Sequence, residues 1–162
     1  MKILIVSDTH GNNRYLYNVL ASVKGLDEMI HLGDIGAALN NNIEEVSKMP
    51  CFRVRGNTDG SDVMLPEESI VMVGRHKAFI THGHLYGVNY NYNEICHHAR
   101  SVGCDTVMFG HTHVPLIEEY NGMQLINPGS ISQPRQADGR HTYIIATVDD
   151  DGEVSYELKY IN

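Results

Sequence analysis

The chain has no apolar run longer than a few residues, so no segment of it could span a bilayer as a helix. The stretch Met1-Lys2-Ile3-Leu4-Ile5-Val6 starts like a signal peptide. Polar Ser7-Asp8-Thr9-His10 cuts it short, and no small-residue cleavage site follows. It reads as a buried first strand, which predicts a cytoplasmic protein with no membrane partner. Basic residues are also scarce: 12 Lys and Arg face 20 Asp and Glu, for a net charge of -8. That balance argues against a long nucleic-acid partner, which needs clustered cations. Small phosphorylated substrates stay open, because bound divalent ions would reverse the field inside a site. The three cysteines, Cys51, Cys96 and Cys104, are odd in number and lack CxxC spacing. They read as small buried apolar residues in a reducing compartment, not as a disulfide framework or a structural zinc site. Repeats, low-complexity tracts and linkers are absent too. With 162 residues, 42% of them hydrophobic, the expectation is a single domain over 1-162.

What the chain does have is a recurrence. Five short apolar runs each end in residues able to bind a metal. Val6-Ser7 leads to Asp8-Thr9-His10, and Ile30-His31-Leu32 to Gly33-Asp34. Val54-Arg55 leads to Gly56-Asn57-Thr58-Asp59, Phe79-Ile80-Thr81 to His82-Gly83-His84, and Val107-Met108-Phe109 to Gly110-His111-Thr112-His113. Any one Asp-x-His or His-x-His is a weak signal; five in order after strand-like runs are strong.

Hydrophobic patterning predicts strands at 2–7, 28–32 and 51–54, with helices from about 12 to 23 and over 43–48 between them. Asn12 or Asn13 would cap the first helix, and the second would stop before Pro50. This order calls for parallel strands with right-handed crossovers. Further strands are expected at 69–73 and 76–81 across a Gly74-Arg75 turn, then at 105–109 after a helix over 91–102. The remainder reads as strands at 114–119, 123–126, 141–148 and 154–161, with turns at Asn121-Gly122 and Asp151-Gly152. The sum is an α/β domain in which two packed mixed sheets with helices outside fit better than one open parallel sheet.

Ligands in α/β sheets bind beyond the carboxyl ends of strands, where Asp8, Asp34, Asn57, His82 and His111 are all expected. Carboxylate, imidazole and amide oxygen together suit Mn²⁺, Fe, Ni²⁺ or Zn²⁺ rather than an all-oxygen Ca²⁺ cage. Glycines 11, 33, 56, 83 and 110 adjoin these residues, where the backbone must turn sharply or come close to an ion.

In this order, Asp8-x-His10, Gly33-Asp34, Gly56-Asn57-x-Asp59, His82-Gly83-His84 and Gly110-His111-x-His113 resemble the calcineurin-like metallophosphoesterases. The short length and the segment Asn127-Pro128-Gly129-Ser130 are most similar to the small prokaryotic phosphodiesterases of the YfcE type. The resemblance implies a four-layer α-β-β-α sandwich of two mixed β-sheets flanked by helices. It implies two divalent metal ions, with Mn²⁺ ahead of Ni²⁺, Fe or Zn²⁺. Asp8, His10 and His113 would hold the first and Asn57, His82 and His111 the second, with Asp34 bridging. Cations about 3.5–4 Å apart would acidify a bridging water, whose hydroxide attacks, and clamp the phosphate oxygens, so no side-chain nucleophile is required. Asp34, Asn57 and His84 are then the catalytic candidates. His84 either contacts phosphate or hydrogen-bonds a ligand from behind.

One position departs from the pattern. Family members that cleave phosphomonoesters often carry histidine after the motif asparagine, to assist the leaving group; this chain has Thr58. That tilts the expected reaction toward small phosphodiesters, leaving His84 or a bound water as proton donor. A phosphomonoesterase or nucleotidase is the nearest alternative. A non-catalytic scaffold is the other, since the retromer subunit on this fold works chiefly in that way with a degraded metal site. Self-association is also open, though no interface stripe marks it.

Other residues carry weaker expectations. The backbone amides of 127–130 could approach phosphate, or could simply form a turn. Arg135 and Arg140 could bind an anionic substrate, and Tyr90-Asn91-Tyr92 could wall a base or aryl group, although packing explains it equally well. His31 is expected to be packed or at an edge, and His97 and His98 to be solvated on their helix. His76 and His141 receive no role.

Overall fold

The computed structural model describes residues 1–60 and 64–161. Its first strand, β1 (Lys2–Val6), is buried on both sides, which explains why its sequence is continuously apolar rather than alternating. Successive side chains still point opposite ways. Ile3 and Ile5 enter the core between two sheets, while Leu4 and Val6 enter a second core. That second core is covered by helix α1 (Arg14–Ser22), which contributes Leu16 and Val19. Asn13 occupies the cap position of α1 as expected, but its side chain makes no capping hydrogen bond.

The chain continues through β2 (Glu28–His31), α2 (Ala37–Asn40), α3 (Ile43–Ser47) and β3 (Cys51–Arg53), then β4 (Glu68–Val73) and β5 (His76–Thr81). A 3-10 turn (His84–Tyr86) leads to α4 (Asn93–Ser101), β6 (Thr106–Met108), β7 (Pro115–Tyr120) and β8 (Met123–Pro128), and the order closes with β9 (Thr142–Val148) and β10 (Val154–Tyr160). Two five-stranded sheets result, in the orders β10-β9-β1-β2-β3 and β4-β5-β6-β8-β7. Both are mixed. β1, β2 and β3 run parallel and β9 antiparallel in one, while β5, β6 and β8 run parallel with antiparallel β4 and β7 in the other.

Alternation in the second sheet completes the layering. Ala78, Ile80, Met108 and Ile126 face the first sheet, while Phe79, Val107 and Leu125 face Ile95 and Ala99 of α4. The architecture is therefore the expected α-β-β-α sandwich. No helix among the described residues is long and apolar enough to cross a membrane. The short helix α2 and the 3-10 turn fall outside the sequence expectations; each is a single turn, below the length at which periodicity registers.

Parallel β1 and β2 in one sheet, and β5 and β6 in the other, bring the four loops after their carboxyl ends to one edge of the sandwich. The backbone joins these loops in pairs: the Asp8 amide donates to Gly33 O at 3.1 Å, His10 N to Asp34 O at 2.8 Å, and Gly110 N to His82 O at 3.0 Å.

Candidate metal centre

Two side-chain bonds tie the loops of opposite sheets together. His82 Nδ1 lies 2.7 Å from Leu32 O, and the His111 amide donates to Asp8 Oδ2 at 3.2 Å. Asp8, Asp34, His82 and His113 are buried, with at most 2% of each residue exposed. Their ligand-type atoms form two overlapping groups, Asp8–His10–His113 and Asp8–Asp34–His82, within each of which all such atoms lie within 4.8 Å of one another. Asp34 Oδ2 stands 3.6 Å from His10 Nε2 and 3.4 Å from His82 Nε2, between the two sets. Asp8 belongs to both groups and Asp34 to the second.

The histidine hydrogen bonds fix which nitrogen faces inward. A carbonyl can only accept, so the bonds from Nδ1 of His82 to Leu32 O and from Nδ1 of His113 to Gln133 O (2.6 Å) place protons on Nδ1. Nε2 of each ring is then the nitrogen that faces the carboxylates and that a metal ion would take in place of a proton, which is how metal-binding imidazoles are held. His10 Nε2 and His113 Nε2 stand 3.2 Å apart, and Asp8 Oδ1 is 3.0 Å from His113 Nε2. Asp8 Oδ1 and His82 Nε2 are buried without a hydrogen-bond partner among the described residues. Carboxylates and imidazole nitrogens crowded together in a dry pocket form a donor set that takes up cations, protons in the metal-free chain or metal ions in their place. The residues present therefore fit divalent metal ions.

The electrostatics agree. Burial works against ionising Asp8, but the facing imidazoles of His10, His113 and His82 outweigh it and hold its carboxyl well below the usual range. Asp34 is likewise opposed by burial, yet His82 and the amide and hydroxyl of Thr58 bring it down to about 2. Both carboxylates are anionic at neutral pH, the form a metal requires. Burial and the neighbouring His82 lower His84 and His111, favouring neutral rings.

The backbone is strained at these same residues. Asp8 (φ 58°), His10 (47°), Asp34 (52°), His111 (66°) and His113 (60°) lie in the left-handed region, which costs a non-glycine residue about 1–2 kcal/mol. Only Lys48 and Asn121 join them among the described non-glycine residues. Gly110 is required for a different reason: a Cβ there would collide with Ser7 Oγ and come within 2.8 Å of Asp8 Oδ2.

His111 and Asn57 are placed less tightly. The His111 ring lies 5.2 Å from that of His82, centroid to centroid. Asn57 is exposed in the loop after β3, between Gly56 and Thr58, both of which touch Asp34. His84 opens the 3-10 turn with its ring 5.5 Å from His82, and its buried Nδ1 has no partner among the described residues. Asp59 anchors this region by accepting from the Gly36 and Gly56 amides at 2.8 and 2.9 Å.

The weaker candidates have contacts of their own. In the 127–130 segment the Gly129 amide is used locally, donating to Asn127 Oδ1 at 2.8 Å, and Asn127 Nδ2 braces Gly110 O and Thr112 Oγ1. Ser130 Oγ and Ser132 Oγ instead donate to Asp8 O, each at 2.9 Å, holding the strained turn from behind. Arg140 pairs with Asp138 and lies over the Tyr160 ring at 3.5 Å, so it is committed elsewhere. Arg135 stays beside the centre, with its amide bonded to His113 O. Tyr92 packs against Phe109 and Tyr120, while Tyr90 is almost fully exposed. His98 is not simply solvated: it lies beside Phe79 and Tyr86 and 3.1 Å from Glu68.

His31, expected to be packed or at an edge, is packed and also supports the site. It is fully buried beneath the centre, with Nδ1 accepting from Gly33 N at 3.3 Å and Nε2 3.1 Å from Thr9 Oγ1. Thr9 in turn reaches Ile35 O at 3.1 Å, so the pair fixes the turn carrying Asp34. A histidine inside a β-strand that leads to a ligand turn was the available signal.

Known proteins place the chain in a family. The profile of the calcineurin-like phosphoesterase superfamily domain matches residues 1–151, and the chain belongs to that family. The probable metallophosphoesterase YsnB of Bacillus subtilis is 33% identical over 152 residues, covering 93% of this chain and 86% of that one. Phosphodiesterase YfcE of Escherichia coli is 29% identical over 164 residues, covering 83% and 82%. Wild-type Vps29 of Entamoeba histolytica, in a crystal structure with zinc, superposes with a TM-score of 0.77 over the whole of both chains at 20% identity, a likeness of fold alone. Family membership implies divalent metal ions at the centre.

Proposed function

We propose that this chain is a metal-dependent phosphodiesterase acting on small phosphodiesters. The observation that carries the metal dependence is the inward-facing, unpartnered set of Asp8 Oδ1 and His82 Nε2 among ligands held by their far nitrogens. Bound divalent ions would supply Lewis-acid chemistry, acidifying a water and neutralising phosphate oxygens. Asp8, His10 and His113 would hold one ion and Asn57, His82 and His111 the other, with Asp34 between them. Mn²⁺ is the first choice for this donor set, followed by Ni²⁺, Fe and Zn²⁺. His84, partly exposed and neutral by its lowered pKa, would donate a hydrogen bond to a phosphate oxygen.

The preference for diesters rests on Thr58. A threonine hydroxyl is no general acid near neutral pH, so a monoester leaving group would find no protonated side chain there. The name of the YfcE relative supports the same choice. A scaffold role is the weaker reading, because every ligand type is intact.

The deciding experiment compares bis-p-nitrophenyl phosphate with p-nitrophenyl phosphate on purified protein supplied with Mn²⁺, Ni²⁺ or Zn²⁺. The expected result is Mn²⁺-dependent turnover with the diester preferred. A strong monoester preference would overturn the diesterase reading, and no turnover of either ester with any ion would favour the scaffold.

A further inference from the structure

His82 and His113 each have a backbone carbonyl to hold the proton on Nδ1, and with it the tautomer that leaves Nε2 free. Among the described residues His10 has no such carbonyl. Its Nδ1 is 3.3 Å from Thr58 Oγ1, its one hydrogen-bonding contact at that nitrogen among the described residues. The Thr58 amide meanwhile donates to Asp34 Oδ1 at 2.9 Å. One residue therefore reaches a candidate ligand of the first ion through its hydroxyl and the candidate bridging carboxylate through its amide, with the hydroxyl also acting on that carboxylate. His10 Nε2 needs that orientation, because it must face His113 Nε2 at 3.2 Å and Asp34 Oδ2 at 3.6 Å at once.

We propose that Thr58 is a positioning residue that sets the tautomer and ring orientation of His10 and thereby the affinity of the first metal position. The inference rests on the reading of Asp8, His10 and His113 as ligands. It also gives Thr58 a task in place of the leaving-group acid that a histidine there would provide. An imidazole accepting from or donating to His10 would alter that ring's proton balance. A hydroxyl can accept from Nδ1–H while its own proton points to water.

Two variants separate the backbone contact from those of the hydroxyl, and a loss at one metal position rather than both assigns the effect to His10 and not to Asp34, which the hydroxyl also faces. Thr58→Val keeps the shape and the amide bond to Asp34 but removes the hydroxyl, while Thr58→Ser keeps the hydroxyl. Metal-stripped wild type and both variants would be titrated with Mn²⁺ by calorimetry, and loaded stoichiometry measured by elemental analysis. Expected is a loss of about 10- to 100-fold in affinity at one of two positions in Thr58→Val, recovered in Thr58→Ser. The weakened step should be the one that His10→Ala abolishes. Wild-type affinities at both positions in Thr58→Val would overturn the positioning role alone, as would a loss that Thr58→Ser shares. A wild-type chain that binds no Mn²⁺ would overturn the metal-dependent reading beneath it.

Discussion

Gly56 packs its bare α-carbon against the carboxylate of Asp34, so that a methyl group added there would overlap Oδ1. Asp34 cannot step aside: it is buried, its backbone is already in the left-handed region, and Oδ2 faces His10 and His82. Gly56→Ala should therefore cost about 1–3 kcal/mol of stability by overpacking, together with at least roughly 10-fold in Mn²⁺ affinity. Urea unfolding and metal titration of the same preparation check both. Unchanged metal binding would mean that the carboxylate can shift without consequence.

Removing the Asp34 carboxylate should be more damaging than removing any of the groups that merely hold a ligand in place. Such supporting groups typically contribute about 10- to 100-fold, so Asp34→Ala is expected to lower diester turnover by more than about 100-fold. Because Oδ2 lies between His10 and His82, bound metal should fall at both positions rather than one. Elemental analysis of the purified variant distinguishes these cases. Wild-type metal content would contradict a bridging position for Asp34.

The strand ends that carry the candidate ligands were legible because β1, β2, β5 and β6 are buried runs, and burial writes itself into consecutive residues. The layering was legible too, from parallel β-α-β order followed by turn-linked strands. Strand order within each sheet was not, because pairing such as β6 with β8 depends on which buried faces meet in space. The supports of the centre were hidden for a related reason. Ser132 reaches Asp8 O and Thr9 O across more than a hundred residues, and a serine in a polar loop carries no mark of such a partner. Thr58 read only as a missing histidine; its contact with His10 appears once the loops are folded together.

Asn127 gives a stability prediction at such a hidden support. Its amide donates to Gly110 O at 2.9 Å and Thr112 Oγ1 at 3.1 Å, on either side of His111, and its oxygen accepts from Gly129 N at 2.8 Å. Asn127→Ala leaves the Gly110 carbonyl and the Gly129 amide without that partner in a buried setting. The expected cost is about 2–3 kcal/mol, or a fall in Tm of roughly 5–10 °C. Differential scanning calorimetry of the metal-free protein reads this directly. A shift below about 1 °C would show that the bonds are replaced, for example by water.

His31 makes stability depend on pH with a definite sign. Burial lowers its pKa from 6.5 to about 4, so the folded chain keeps it neutral where the unfolded chain takes up a proton. Its contribution is complete above pH 6.5 and is lost as pH falls from there toward 4, by up to about 3 kcal/mol. The hydrogen bonds give the structural cause: Nδ1 accepts from Gly33 N–H, and a second ring proton would set two donors against each other. His10 and His82 work in the opposite direction. For His10 the facing Asp8 raises the pKa; for His82 burial lowers it, but Asp34 and Asp8 outweigh that. These two stabilise the metal-free fold below pH 6.5 and lose that contribution as pH rises through their folded-state values. The wild-type profile therefore mixes both signs, and the His31 part must be read by difference. His31→Gln keeps one acceptor and one donor without a titrating proton. Between pH 7.5 and pH 5.0, urea unfolding should show the metal-free wild type losing on the order of 2 kcal/mol more than the variant. Parallel profiles would mean that His31 is protonated in the fold, with the Gly33 bond broken and the turn of Asp34 held by Thr9 alone.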